Sequence, residues 1–308
     1  MSVLPDDDRF PALMADAAAR DARLGAIDWR VLPAQSERDV LRAPSGDLAR
    51  VRLGPVDGPR VLLVPGMTGS KEDFTLTMPG LAAAGYRAES YDLAGQYESH
   101  AAGPEQLDPA QHRYTLGLFV DDLLAALRDG PTPVHVLGYS FAATVAIEAA
   151  TRHPELFASL TLLSAPPRAG DSLRDFKVLG PLSRFVPGHA LTGVFVAALR
   201  WNVIGAPAER ASFVAGRLDL TRRSSVGDIL DLMQHTPDRV AALRDSGIPL
   251  LVVGGTGDVW HVATHRAYAQ ALGARLVVLH SGHGPCETAP NQLTEAMLSL
   301  FRASPHRA

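Results

Sequence analysis

Cysteine is almost missing from this chain: one of its 308 residues, Cys286, carries a thiol. A single thiol cannot close an internal disulfide, so the fold does not depend on an oxidising compartment, and a cytoplasmic setting is expected. Cys286 also has no partnered ligand set for zinc, and no His-Glu-x-x-His occurs. Metal catalysis therefore has little to stand on, and neither a metal nor another cofactor is expected. Long apolar runs are missing as well. The most apolar window, "ALTGVFVAALRW" at 190–201, is broken by Arg200 and falls short of the roughly 20 residues that span a bilayer, so no transmembrane segment is expected. The opening "MSVLPDDDRF" is acidic where a secretory signal would be basic and then apolar. Basic charge is not in excess either: 29 Lys and Arg against 33 Asp and Glu leave a formal charge of −4, which offers no footprint for nucleic acid. "GGTGD" lacks the following Lys-Ser/Thr of a nucleotide loop.

What is present is the composition of a soluble globular protein, 46% hydrophobic and 20% charged, long enough for a sizeable core. From residue 38 onward short β-rich runs recur: "DVLRA" (39–43), "LARVRL" (48–53), "RVLLVP" (60–65), "YRAESYD" (86–92), "VHVLG" (134–138), "LTLLSA" (160–165), "PLLVVGG" (249–255) and "RLVVLH" (275–280). The later runs are nearly all apolar, as in a parallel sheet covered on both faces; the first two read as an edge pair. Helical spacing at 71–84, 115–129, 140–152, 261–272 and 289–302 completes a βαβ alternation. An α/β class is predicted, with a mostly parallel eight-stranded sheet flanked by helices.

About 80 residues separate "LLSAPP" from "IPLLVVGG", far more than one βα connection needs. Residues 167–235 are therefore assigned to an inserted helical cap over the C-terminal strand ends, with Phe176, Phe185, Phe195, Trp201 and Phe213 as its aromatic residues. The α/β core is then 38–166 plus 236–303, residues 1–37 are a helical N-terminal extension and 304–308 a tail.

The chemistry is concentrated at "LGYSFAA". If the strand at 134–138 turns directly into the helix at 140–152, Ser140 sits on a strained corner that demands small residues two before and two after it, which Gly138 and Ala142 are. Its Oγ then stands at a helix N-terminus, where N–H groups favour developing negative charge. A serine there could merely cap the helix. A nucleophilic serine needs a base and a carboxylate to orient that base. Asp258 follows the seventh strand in "VVGGTGDVW" and His283 follows the eighth in "VVLHSGHGP"; parallel strands deliver all their C-terminal ends to one edge, so both loops should meet Ser140. His280 and His261 are rival bases, placed at a strand end and a helix start. The oxyanion of an acyl-transfer intermediate needs two N–H donors: Phe141, just after the serine, and Met67, presented by Gly66 in "LLVPGMTGSKEDF". Tyr139, Phe195 and Trp201 are candidate pocket residues. Cys286 could line that pocket or be a small buried hydrophobe, and Asp92 and Tyr97 could reach its rim or serve a turn.

These stretches, with "YDLAGQYES" and "VLGYSFAATVAIEAATRHPELFASLTLLSAPP", resemble the α/β-hydrolase family over residues 38–302, and specifically its capped esterase-like members. The resemblance implies Ser140 as nucleophile, Asp258 as acid, His283 as base, and Met67 and Phe141 as oxyanion donors. Two positions depart from it. Pro65-Gly66 stands where the family usually has His-Gly, and Asp92-Leu93-Ala94-Gly95 lacks the arginine of the usual Asp-x-Arg-Gly. A serine at the corner argues against epoxide hydrolases and haloalkane dehalogenases, which use aspartate. The expected substrate is a small, largely apolar carboxylic ester or thioester, with no nucleic-acid partner. A serine-dependent carbon–carbon hydrolase, a perhydrolase, and a small-molecule receptor of the same fold with little turnover remain alternatives.

Overall fold

The strands β1 Glu37–Ala43, β2 Gly46–Leu53, β3 Arg60–Val64, β4 Arg87–Tyr91, β5 Val134–Tyr139, β6 Phe157–Leu163, β7 Leu250–Gly255 and β8 Arg275–Leu279 form one sheet in the order β1-β2-β4-β3-β5-β6-β7-β8. The computed structural model describes residues 8–175, 186–203 and 205–303; Phe176, Phe185 and the tail at 304–308 lie outside them. β1 and β2 are the antiparallel edge pair, and every pairing from β4 onward is parallel. The described helices are α1 Phe10–Asp21, α2 Met78–Ala83, α3 Leu116–Arg128, α4 Phe141–Arg152, α5 Gly188–Arg200, α6 Ala208–Leu220, α7 Arg223–Gln234, α8 Val240–Asp245, α9 Val262–Leu272, α10 Pro285–Thr288 and α11 Pro290–Ala303.

The apolar runs become central strands because side chains alternate between two covered faces. In β3 every residue is buried: Leu62 and Val64 join a core with Phe119 and Leu123 of α3 and Val145 of α4. Val61 and Leu63 point the other way, into a core with Met78 and Leu81 of α2 and Leu293 and Met297 of α11. Truncating a fully buried leucine such as Leu62 to alanine costs about 2–5 kcal/mol. Helix ends follow local chemistry: the Thr115 side chain accepts from Leu118 N to start α3, and Gly273 at φ 65° ends α9 in the left-handed conformation that glycine tolerates. Asp21 at the end of α1 accepts from the N–H groups of Asn291 and Gln292 at 2.9 and 3.1 Å, so it caps α11. Among the described residues of the N-terminal extension, α1 is the helical stretch. Beyond it the chain runs in turns to β1, burying Trp29 on the way.

Two features position the site. The order β4-β3-β5 reverses the direction in which strands are added, so the C-terminal ends of β3 and β5 flank the crevice that such a switch opens. Between β6 and β7 the chain leaves the sheet to build α5, α6 and α7 before α8 returns it. Among the described residues no helix is long and apolar enough to cross a membrane.

Candidate active site

Register brings the first two pieces together. Val64 of β3 is paired with Gly138 of β5, so Gly66 and Ser140, each two residues beyond, leave the sheet side by side. A Cβ on Gly66 would lie 3.1 Å from Ser140 Cβ and 3.2 Å from Tyr139 O. A side chain at 66 would make Ser140 or Tyr139 give way by a few tenths of an ångström, so the close approach favours glycine there. Ser140 has φ 53° and ψ −121°, a sparsely populated conformation for a residue with a side chain. Its N–H is held by Leu163 O at 2.9 Å. Gly138 makes the corner possible: a Cβ there would sit 2.7 Å from Ala142 O and from Ala143 Cα. The N–H of Phe141 opens α4 and so lacks an intrahelical acceptor. That of Met67 makes no backbone hydrogen bond among the described residues. Thr68, at φ 57°, gives its N–H to the buried Gln96 Oε1 at 2.6 Å, which fixes the loop that carries Met67.

The other two pieces come from β7 and β8, whose loops continue to pair beyond the strands: Gly257 N donates to Ser281 O at 2.9 Å. His283 Nε2 lies 3.1 Å from Ser140 Oγ, and its Nδ1 lies 2.7 Å from Asp258 Oδ1. Asp258 Oδ1 also accepts from Val259 N at 2.6 Å, and Oδ2 faces His265 Nε2 at 3.1 Å. Burial opposes ionisation of Asp258, but the hydrogen bonds from His265 and His283 outweigh it and hold the carboxyl far below its ordinary range. The lowered value means that this group stabilises the fold above the ordinary carboxylate range and loses that contribution as pH falls through its folded pKa. With Asp258 ionised, His283 presents Nδ1–H to it and a bare Nε2 to the serine hydroxyl. The His283 ring is flanked by Tyr139 and Trp260, each with ring centroids 5.4 Å away.

Gly255 is the spacer between the two loops. A Cβ there would meet Gly282 O at 2.1 Å and Ser281 O at 2.4 Å, both backbone atoms that cannot swing aside. Gly255→Ala is expected to part the loops that carry Asp258 and His283, lowering kcat/KM at least about 100-fold, since a displacement near 1 Å has that consequence at a reacting centre. Activity assays of the purified variant beside a thermal melt check this; wild-type turnover would show that the loops are not held by this contact.

Two buried ionic clusters brace the loops. Asp92, fully buried, accepts from Lys71 N at 2.8 Å and Lys71 Nζ at 3.0 Å. It thereby finds, on the loop after β3, the cation that its own loop lacks. Glu72 and Glu98 share the same ammonium. Burial pushes Asp92 up to about 7, with the Glu72 charge adding to it and Lys71 opposing it. In the second cluster, helix α6 turns Arg210, Phe213 and Arg217 inward. Arg210 Nη2 and Arg217 Nη1 both reach Asp73 Oδ1 at 2.6 Å, and Arg210 reaches Glu287 Oε1 at 2.5 Å. Burial disfavours the Asp73 carboxylate, but the two guanidiniums prevail and hold its pKa down. The Trp29 ring lies 4.4 Å from the Arg210 guanidinium. The insertion is thus tied to both the Met67 loop and the His283 loop.

Ser140, Asp258, His283, Met67, Phe141 and Tyr139 converge. Trp201 does not join them: it follows the last turn of α5 with 80% of its surface exposed, so it faces water, and its expected place in the pocket is corrected. Phe195 is half-buried against the core beneath α5. A cavity of about 260 Å³ between α5, α6 and α7, lined by Val196, Leu218, Thr221 and Val226 among others, has neither aromatic residue nor Ser140 on its wall. His280 and His261 are exposed. Cys286 is fully buried, and burial pushes its thiol pKa up, so it packs as a small hydrophobe. Sequence reasoning missed Trp260, His265, Lys71, Arg210 and Arg217. The two arginines left a trace in the i, i+7 spacing of "RASFVAGR", which is the spacing of one helix face.

A profile of the alpha/beta hydrolase family matches residues 61–296. The chain is 33% identical over 113 residues to the candidate carbamate hydrolase RutD of Variovorax paradoxus, a match covering 36% of this chain and 40% of that protein. It is 30% identical over 139 residues to the magnesium-chelatase 30 kDa subunit of Rhodobacter capsulatus, covering 45% and 39%. The matches span about two fifths of the length of these curated relatives. Among solved structures, a thermophilic esterase from Thermogutta terrifontis superposes with a TM-score of 0.66 at 21% identity, over 86% of this chain and 98% of that one. That likeness is one of fold.

Proposed function

We propose, from the premise that this chain belongs to the alpha/beta hydrolase family, that it is a serine hydrolase cleaving a carboxylic ester or thioester of a small, largely apolar substrate. The observation that carries this reading is the Ser140 Oγ to His283 Nε2 to Asp258 Oδ1 relay at 3.1 and 2.7 Å. In it, His283 Nε2 takes the Ser140 proton as Oγ bonds to the acyl carbon, and the carbonyl π pair moves onto oxygen. The resulting oxyanion is met by the Met67 and Phe141 N–H groups. When the intermediate collapses, the bond to the alcohol or thiol breaks and the imidazolium returns the proton to that leaving group. Water, deprotonated by the same imidazole, then attacks the acyl-Ser140 ester, releasing the acid and restoring the serine. Asp258 stays ionised throughout and offsets the imidazolium charge. A carbamate, the substrate class in the name of the Variovorax relative, can undergo the same addition.

The test is a screen of p-nitrophenyl esters and acyl thioesters of graded chain length, with an aryl carbamate as a further arm. Turnover of a short ester or thioester is expected, with kcat/KM rising with pH through one ionisation and then levelling, because only the neutral imidazole accepts the serine proton. His280→Ala and His261→Ala should leave that profile within about twofold of wild type, the usual range for exposed side chains away from the chemistry. Saturable ligand binding with no turnover on any arm would favour a receptor instead.

A further inference from the structure

Asp258 has two carboxylate oxygens, and the proposed relay uses one. The other, Oδ2, faces His265 Nε2 at 3.1 Å, with both side chains almost wholly out of solvent. His265 lies on the first turns of α9, and its ring is seated on the backbone of β7: a Cβ on Gly254 would lie 2.9 Å from the ring. Trp260, whose Nε1 is tied to Ser172 O at 3.1 Å, packs edge-on to the ring. The remaining ring nitrogen, Nδ1, is buried with no hydrogen-bond partner among the described residues. A proton on Nδ1 would be a buried donor without an acceptor, which is costly. The neutral tautomer with Nε2–H toward Asp258 satisfies the carboxylate and leaves only a bare acceptor unpaired.

We infer that His265 is a positioning residue: its Nε2–H anchors Asp258 Oδ2, fixing the carboxylate plane so that Oδ1 meets His283 Nδ1. The inference rests on the serine-hydrolase reading above for its consequence in turnover, and on geometry alone for its effect on His283. Two effects follow. Without the anchor the carboxylate is held through Oδ1 alone, by Val259 N and His283, so its plane is less well fixed, the fraction of molecules with a correctly held imidazole falls and kcat falls with it. Where the carboxylate does meet His283, charge no longer shared with His265 is concentrated toward the imidazolium. That favours the protonated ring, so activity should require a higher pH. Tyr139, which flanks the His283 ring, has Cys286, Glu287 and Asp73 around it, and Tyr268 is buried on the same helix as His265. None of them hydrogen-bonds His265, so their influence is common to every variant.

The experiment compares His265→Gln with His265→Asn. Both place an amide in the same buried space, but the longer side chain carries its donor to the position of Nε2 and the shorter one to that of Nδ1, out of reach of Asp258. His265→Asn is expected to lower kcat about tenfold or more and to move the acid limb of kcat/KM upward by about half a pH unit, while His265→Gln stays within about threefold of wild type on an unchanged limb. The ionisation of His283, followed by ¹⁵N-histidine NMR, should move with the same sign and needs no turnover. If the NMR shift is found and no substrate is turned over, the positioning role stands and the hydrolase reading fails. Equal impairment of Gln and Asn, or a His283 titration the same in all three proteins, would overturn the positioning role. Should either variant fold poorly, Asp258→Asn supplies the check. It removes the anchored carboxylate, so a His265 substitution added to it should bring no further shift of the His283 ionisation, and an added shift of the size seen alone would overturn the inference.

Discussion

Ser140→Ala should leave a folded protein with kcat reduced by about 10⁴- to 10⁶-fold, the scale on which loss of a triad nucleophile acts. The expectation follows from geometry. Ser140 Oγ is the group against His283 Nε2, and the corner that strains its backbone is built by Gly66 and Gly138, so alanine changes the chemistry and leaves the scaffold. A fluorophosphonate probe should add one equivalent of mass to the native chain, on Ser140, and none to the variant. Labelling elsewhere, or a variant with more than about a hundredth of wild-type turnover, would assign the nucleophile to another residue. His283→Ala should fall in the same range because it removes the proposed base. Asp258→Asn should lose less than His283→Ala, because the base remains but its tautomer is no longer selected.

Asp73→Asn should be the most destabilising single change at this end of the molecule, by about 3–5 kcal/mol in urea unfolding, because it strips the shared counter-ion from two buried guanidiniums. Arg217 loses its only carboxylate within salt-bridge distance among the described residues and keeps Ser70 Oγ at 3.1 Å. Arg210 retains Glu287. Adding Arg217→Met should restore at least about half of the loss, since an apolar side chain of similar length then covers Phe213 where a lone charge stood. If the two losses simply add, the cluster is not a charge-compensated unit. Activity should fall with stability, because Asp73 sits on the loop after Met67 and Glu287 on the helix after His283.

Much of this protein is legible in its sequence because the relevant physics is local or topological. Gly138, Ser140 and Ala142 lie within one strand-to-helix corner, where a steric demand on neighbours shows directly as small residues. Asp258 and His283 are distant in sequence from Ser140, yet the rule that parallel strands end at one edge suffices to bring them there, and the observed register does so. The central strands follow from short, nearly all-apolar runs, and the first two, of mixed polarity, pair at the edge.

Other features depend on which surfaces meet, and periodicity within a segment carries no information about that. Arg210 and Asp73 are 137 residues apart, and in isolation "AERASFVAGRLDL" reads as a helix whose arginines could as well be solvated. Only the packing of α6 onto the loop after β3 turns them inward. Trp201 illustrates the converse: a large aromatic in an apolar window suggests burial, but its place just beyond the last turn of α5 leaves it in water. The cation for Asp92 was likewise invisible from its own loop, because Lys71 reaches it from a neighbouring strand end. His265 was passed over for a related reason: a histidine on an ordinary helix acquires meaning only when α9 is laid across β7 and sets its Nε2 against the free oxygen of Asp258. The sequence by itself determined the fold, the corner and the edge at which three side chains converge. The tertiary structure alone decided which buried charges compensate one another and how the acid is held, because those pairings are made by side chains on separate elements brought together only by packing.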